Sequence, residues 1–332
     1  MIKLSLIVPL FNRPQEIREL LQSLVLQSNT DFEIVIVEDG SSQKSDSIID
    51  EFKDKLRIQY FFKENSGPGL SRNYGSERAK GDYLIFLDSD CIIPPDYITK
   101  VQAFLKSNYV DAFGGPDRAD ASFTPIQKAI NYSMTSIFTT GGIRGNAKSV
   151  EKFHPRSFNM GYSTKVFEAT GGFSGMRFGE DIDMSIRLHE KGFSTALIVD
   201  AFVFHKRRTN FKLFYKQVFN SGLARINLFK RHPSSLKLLH FFPLAFTIGW
   251  MLAILLKLLL GFPLFLNLLA IYLTVLFVHA TALNKSLKVG FLALIASFIQ
   301  LSAYGLGFLK GIWERLVLGK GEKASFTKNF YQ

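Results

Sequence analysis

"GDYLIFLDSD" (residues 81–90) runs an apolar stretch, Tyr-Leu-Ile-Phe-Leu, straight into two aspartates separated by one serine. A short run that is apolar on both faces reads as a strand buried between two layers. On an extended chain, side chains two apart point the same way, so Asp88 and Asp90 face one ligand while Ser89 turns aside. Two hard carboxylates suit Mg²⁺ or Mn²⁺, with water and phosphate oxygens completing the shell. The alternative reading is a solvated polar turn.

The same grammar recurs upstream. "IKLSLIVP" (2–9), "FEIVIVEDGS" (32–41) and "LRIQYFFKE" (56–64) read as strands. Between and after them, residues 14–27, 42–55, 69–81 and 95–108 carry helical spacing and helix-start signals. Strand–helix alternation predicts an α/β fold whose mostly parallel sheet is covered on both faces, with ligands at the carboxyl ends of the strands. Two of those ends are acidic, Glu38-Asp39 and Asp88-Asp90. The first strand is followed by "FNRPQE" rather than G-x-G-x-x-G, and no P-loop is present. Both absences argue against nicotinamide chemistry and P-loop phosphate hydrolysis.

Further on, Glu180 and Asp181 follow a glycine and open a helical stretch. Such acids complement a helix N-terminus. The same position favours the ionised form that a general base requires. "DAFVFH" (200–205) ends a short apolar strand in His205, either a structural histidine or an imidazole completing the metal site.

In order along the chain, "SLIVPLFNR", "EIVIVEDGSS", "NSGPGLSRNYGSERAKGDYLIFLDSD", "NMGYSTKVFEATGGF" and "FGEDIDMSIRLHEKG" resemble family 2 glycosyltransferases of the GT-A fold, over about residues 3–205. The resemblance implies a Rossmann-like catalytic domain over 1–205. It also implies inverting, metal-dependent (Mn²⁺ or Mg²⁺) transfer from a nucleotide-sugar donor, with a hexose as the expected sugar. It places donor contacts at Pro9, Asp39, Arg72, Asp88 and Glu180, metal ligands at Asp88, Asp90 and His205, and the catalytic base at Asp181. Two positions depart from the family pattern. Glu38 stands where Asp-Asp is common, which leaves its role open. Cys91 stands where many members have another acid, and packs as a small apolar residue. A metal-dependent nucleotidyltransferase and a non-catalytic membrane sugar-nucleotide-binding protein are the competing readings.

Charge divides the 332 residues unevenly. Residues 1–200 hold 23 Lys+Arg and 26 Asp+Glu; residues 201–313 hold 13 Lys+Arg and no acid. One cysteine excludes an intrachain disulfide, and the N-terminus reads as a first strand rather than a signal peptide. Residues 206–236 form a basic, aromatic, amphipathic segment suited to an anionic membrane surface rather than to nucleic acid. Over 237–310, the stretches Leu238–Leu256, Leu258–Leu283 and Val289–Leu309 approach bilayer-spanning length. A break is expected at "GFP" (261–263) beside Lys257. Two or three spans are expected, then a basic tail over 311–332. The positive-inside rule places the catalytic domain in the cytoplasm at the inner (cell) membrane. Yet Lys285, Lys288 and the tail's lysines also look like inside sequence. Gln217 begins no Q-x-x-R-W motif, so the resemblance implies non-processive transfer. The acceptor is expected to be lipid-linked or glycan, in polysaccharide, glycolipid or cell-envelope assembly. Specificity is expected in loops within 111–160.

Overall fold

The computed structural model describes residues 2–118, 123–141 and 154–322. Met1, residues 119–122 and 142–153, and residues from 323 onward lie outside the described residues. The chain divides into two units. Of the described residues, the first comprises 2–118 and 154–205, and the second comprises 123–141 and 206–322.

Among the described residues, the first unit is built on ten strands. They are β1 (Leu4–Leu10), β2 (Phe32–Asp39), β3 (Ile58–Lys63), β4 (Tyr83–Leu87), β5 (Cys91–Ile92), β6 (Ala112–Gly114), β7 (Asp117–Arg118), β8 (Asn159–Ser163), β9 (Thr195–Leu197) and β10 (Val203–His205). The main sheet has the order β3-β2-β1-β4-β8-β6-β9. β3, β2, β1 and β4 are parallel, and β8 runs antiparallel to β4 and β6. A small sheet, β5-β10-β7, lies apart from it in hydrogen bonding.

Period-two burial assigns the faces. Leu4, Leu6, Val8, Ile34, Ile36, Ile85 and Leu87 pack on one side with helices α1 (Pro14–Val25), α2 (Asp46–Asp50) and α4 (Tyr97–Ser107). Ile7, Val35, Val37, Leu84 and Phe86 pack on the other, with α7 (Thr164–Thr170) and α8 (Glu180–Glu190). Helix α3 (Pro68–Ser76) also lies on this second face. Its Gly75 comes so close that an added Cβ would stand 2.7 Å from Ile7 Cγ2 and 3.2 Å from Val37 Cγ2. Each such fully buried aliphatic side chain contributes about 1.5–3 kcal/mol by leaving water.

The helix expected over 42–55 is confined to Asp46–Asp50. Phe52, Lys55 and Leu56 instead close three- and four-residue turns onto Ile49 and Phe52 carbonyls, which still buries Phe52 and Leu56.

The second unit contains α5 (Pro125–Thr135), α6 (Ile137–Thr140), α9 (Phe211–Arg231), α10 (Phe242–Leu260), α11 (Leu264–Asn284) and α12 (Leu287–Gly311). α5 opens with a capping box, Thr124 with Gln127, and Pro125 at its first turn. The break at 261–263 is present, with Gly261 closing α10 at φ 65°. Among the described residues, three helical stretches, Leu238–Leu260, Leu264–Asn284 and Leu287–Val317, are long and apolar enough to cross a membrane.

Candidate active site

Asp88 and Asp90 lie in the turn from β4 to β5. β10 pairs antiparallel with β5 so that His205 stands opposite Cys91. His205 Nε2 is thereby 3.2 Å from Asp90 Oδ1 and 3.9 Å from Asp88 Oδ2. His205, more than a hundred positions further along the chain, is therefore brought to both aspartates expected as metal ligands. The imidazole stacks on Phe158 at 5.1 Å and 18°, which fixes its plane. Its Nδ1 is buried and makes no hydrogen bond within the described residues. Two hard carboxylates and one imidazole fit a Mn²⁺- or Mg²⁺-type ion.

Cys91 Sγ lies near Asp90 and His205 donor atoms, all within 4.8 Å of one another. The thiol is fully buried and donates to the Phe158 carbonyl at 3.5 Å. Burial pushes its pKa well above the ordinary thiol value, and the neighbouring Asp90 and Asp88 charges push it further.

Strand parity separates the two acids ending β2. Glu38 points to the α2 face, fully buried, where it accepts from Ser45 N–H at 3.1 Å and from the Tyr60 hydroxyl. That carboxylate fixes where α2 begins and answers the open question at position 38. Asp39 points to the α3 face. It accepts from the Ser66 and Gly67 N–H groups at 2.9 and 2.8 Å and pairs with Lys63 Nζ, its register partner on β3. Pro9 sits within β1 beside Val37, partly exposed.

Arg72 is only 2% exposed. Its Nη2 donates to Asp88 Oδ1 at 2.8 Å and its Nη1 to Glu180 Oε1 at 2.9 Å. One guanidinium thus ties the metal-type carboxylates to the first turn of α8. Burial and the adjacent Asp181 push Glu180 up to about 7, against the opposing pull of Arg72. Asp181 is more open. Its Oδ2 accepts from Ser157 N–H at 3.4 Å and lies 3.7 Å from Arg156 Nη1. Gly179, at φ 85°, turns the chain into α8 so that both acids fall in its positive first turn.

Sequence reasoning missed four contributors. Arg13 forms an ion pair with Asp90, and Lys63 and Arg156 stand beside Asp39 and Asp181. Asn73 brackets the Phe173 backbone, accepting from its N–H and donating to its carbonyl, both at 2.8 Å. The available signal was position: Arg13 and Lys63 lie at the carboxyl ends of β1 and β3, the same sheet edge as the acids.

Known proteins share this fold and part of this sequence. The mannosyltransferase PcManGT from Pyrobaculum calidifontis, solved in complex with GDP-Man and Mn²⁺, superposes with a TM-score of 0.66 at 16% identity, covering 95% of this chain and 88% of that one. That likeness establishes the GT-A architecture. An uncharacterised glycosyltransferase of Haemophilus influenzae is 38% identical over 109 residues, 32% of this chain and 44% of the relative. The poly(ribitol-phosphate) β-N-acetylglucosaminyltransferase TarS of Staphylococcus aureus is 35% identical over 115 residues, 33% of this chain and 20% of TarS. The matches span less than half the length of these relatives. The family model described as glycosyl transferase family 2 matches residues 5–178, more than half of the chain and every strand through β8, and on that match the chain belongs to glycosyl transferase family 2.

Proposed function

We propose that the chain is a membrane-bound, inverting, non-processive hexosyltransferase. It moves one sugar from a nucleotide-sugar donor to a lipid-linked or glycan acceptor in surface polysaccharide, glycolipid or cell-envelope assembly. Arg72 carries this reading, because it binds Asp88 of the metal-type cluster and Glu180 beside Asp181 at the same time. A donor-side charge centre and an acceptor-side base are thereby held in fixed relation.

Asp88, Asp90 and His205 would hold Mn²⁺ or Mg²⁺, which when bound supplies positive charge to a departing diphosphate. Asp181 takes the proton from the acceptor hydroxyl as that oxygen attacks the anomeric carbon from the face opposite the nucleotide. Its place in the first turn of α8 and its partial exposure support a base that the acceptor hydroxyl can reach. Arg72 and Glu180 act from the donor side with Pro9, Asp39 and Asp88. The GDP-Man and Mn²⁺ of the Pyrobaculum complex support both the donor class and the cation. Membrane lipids are the second partner, through apolar helices of the second unit. The basic residues flanking those helices support a cytoplasmic catalytic unit at the inner membrane, and no nucleic acid takes part.

The test is sugar transfer and donor hydrolysis by purified protein across a nucleotide-sugar panel, with and without Mn²⁺. Asp90→Ala should lose cation-dependent turnover, and Asp181→Asn should lose transfer by about 10²-fold or more while still binding donor. Full transfer by Asp181→Asn would remove it as the base.

A further inference from the structure

We propose that α10 and α11 enter the bilayer as a hairpin and that α12 does not cross it, so that both ends of α12 face one aqueous side.

Three consecutive spans joined by short links run up, down and up, which makes the first and third parallel. Here the first half of α10 runs antiparallel to the second half of α12. Phe241 packs its ring on Phe308 at 5.2 Å, and Phe246 packs on Phe298 at 5.8 Å. Between these levels, a Cβ on Gly305 would stand 2.5 Å from the Pro243 carbonyl oxygen. Numbers rise on one helix as they fall on the other. The C-terminal end of α12 therefore lies beside the start of α10, where a three-span path would put it on the opposite face.

The helix that stays out is identified by its neighbours. α9 runs parallel along α12: Gly307 meets the Phe219 backbone, Gly311 meets Ile226, and Asn227 accepts from Arg315 Nε at 3.1 Å. Lys212 and Lys216 precede Phe219 on α9 by two turns and one turn, level with the middle of α12. Were α12 a span, these ammonium groups would lie near the bilayer midplane, where lysine is strongly disfavoured. Half of the apolar stretch of α12 is already buried by protein, against 11% for α10 and for α11. The hairpin arms are bare instead. Leu258, Leu259 and Leu260 are each more than 70% exposed, and across the turn Phe265 and Leu268 are also open. At 1.5 Å per residue, the 19 residues of α10 reach about 28 Å, close to the ~30 Å hydrocarbon thickness. Lys257, one turn from the hairpin tip, can extend its ammonium to the far headgroups. This arrangement puts Lys285 and Lys288 on the same side as Arg315 and Lys320, as the positive-inside rule asks of all four.

The inference rests on the membrane reading, and the test separates the two. Single cysteines replace exposed lysines in the full-length chain, Lys212→Cys, Lys288→Cys and Lys320→Cys, with Phe262→Cys at the hairpin tip. The native Cys91 is buried and gives a low background. An impermeant maleimide is applied to intact cells and to sealed inverted vesicles, with detergent-denatured samples as the full-labelling reference. The three lysine positions should label from one face, and Phe262→Cys should not label from that face. Labelling of Lys288→Cys and Lys320→Cys from opposite faces, or of either from neither face, would overturn the proposal, as would tip labelling from the lysine face. Recovery of the unmodified chain wholly in the soluble fraction would instead remove the membrane reading itself.

Discussion

Replacing Arg72 with methionine keeps the volume of the stem and removes the charge that two carboxylates share. The Asp88 arm is 28% exposed and counts for about 1 kcal/mol or less after screening. The Glu180 arm is different, because both partners are buried and the bond is 2.9 Å long. Removing one partner of a buried pair leaves an uncompensated charge and costs about 3–5 kcal/mol. That cost depends on pH, because burial holds the Glu180 carboxyl up to about 7. The sign follows from linkage: a raised carboxyl contributes stability that is full below its ordinary value of 4.5 and is lost as pH rises through about 7. Without the pull of Arg72 the carboxyl rises further, so at pH 8 Arg72→Met leaves Glu180 either charged without its partner or protonated at a cost, whereas at pH 5 it is protonated in both proteins and tolerates the loss. Hydrogen exchange on peptides covering β4 and α8 is the suitable assay. Both tryptophans, Trp250 and Trp313, belong to the helical unit, and their fluorescence would not follow this site. Exchange there should accelerate by about two to four powers of ten at pH 8, after correction for intrinsic rates, and by much less at pH 5. Glu180→Gln placed on Arg72→Met should recover most of the pH 8 loss. Equal protection in the single and double variants, or a loss independent of pH, would refute the reasoning.

Two further outcomes are expected. Cys91→Ala should leave Mn²⁺ affinity within about twofold in a titration of the purified chain, because the thiol is bonded to the Phe158 carbonyl and a hard cation prefers the carboxylates; a tenfold or greater loss would make Cys91 a ligand. Gly75→Val should lower stability by about 1–3 kcal/mol by pushing α3 off the sheet at Ile7, read as a drop of several degrees in thermal unfolding followed by circular dichroism; an unchanged midpoint would mean that α3 can shift freely.

Much of this architecture was legible because local and global signals agree. The strands β1, β2 and β4 are apolar on both faces, and every face is covered. Strand periodicity pairs Asp88 with Asp90 on an extended chain, whereas β4 ends at Leu87 and the two acids sit in a turn closed by the Cys91 N–H on the Asp88 carbonyl at 3.1 Å. His205 could not be placed that way. Its approach depends on a two-residue pairing between β10 and β5, too short to leave a pattern. The same holds for Arg72: in sequence it is one arginine in a short helix, and only the close approach of α3 to the sheet brings it to both Asp88 and Glu180. The affinity of α5 and α6 for the helical unit was equally hidden. Their contacts reach across the chain, as when Tyr132 bonds His279 at 2.8 Å and Tyr272 donates to the Phe138 carbonyl at 2.8 Å. Part of the loop region expected to set specificity, 119–122 and 142–153, lies outside the described residues.

The opposite facing of Glu38 and Asp39 has a consequence for how β2 can change in length. Deleting or inserting one residue upstream within the strand would exchange the two carboxylates. The acid that starts α2 would then be aimed at α3, and the one that gathers the Ser66 and Gly67 amides would be aimed at α2. A two-residue change would restore both. The strand is therefore measured in pairs at its functional end, and viable length variants of this segment should differ by even numbers of residues.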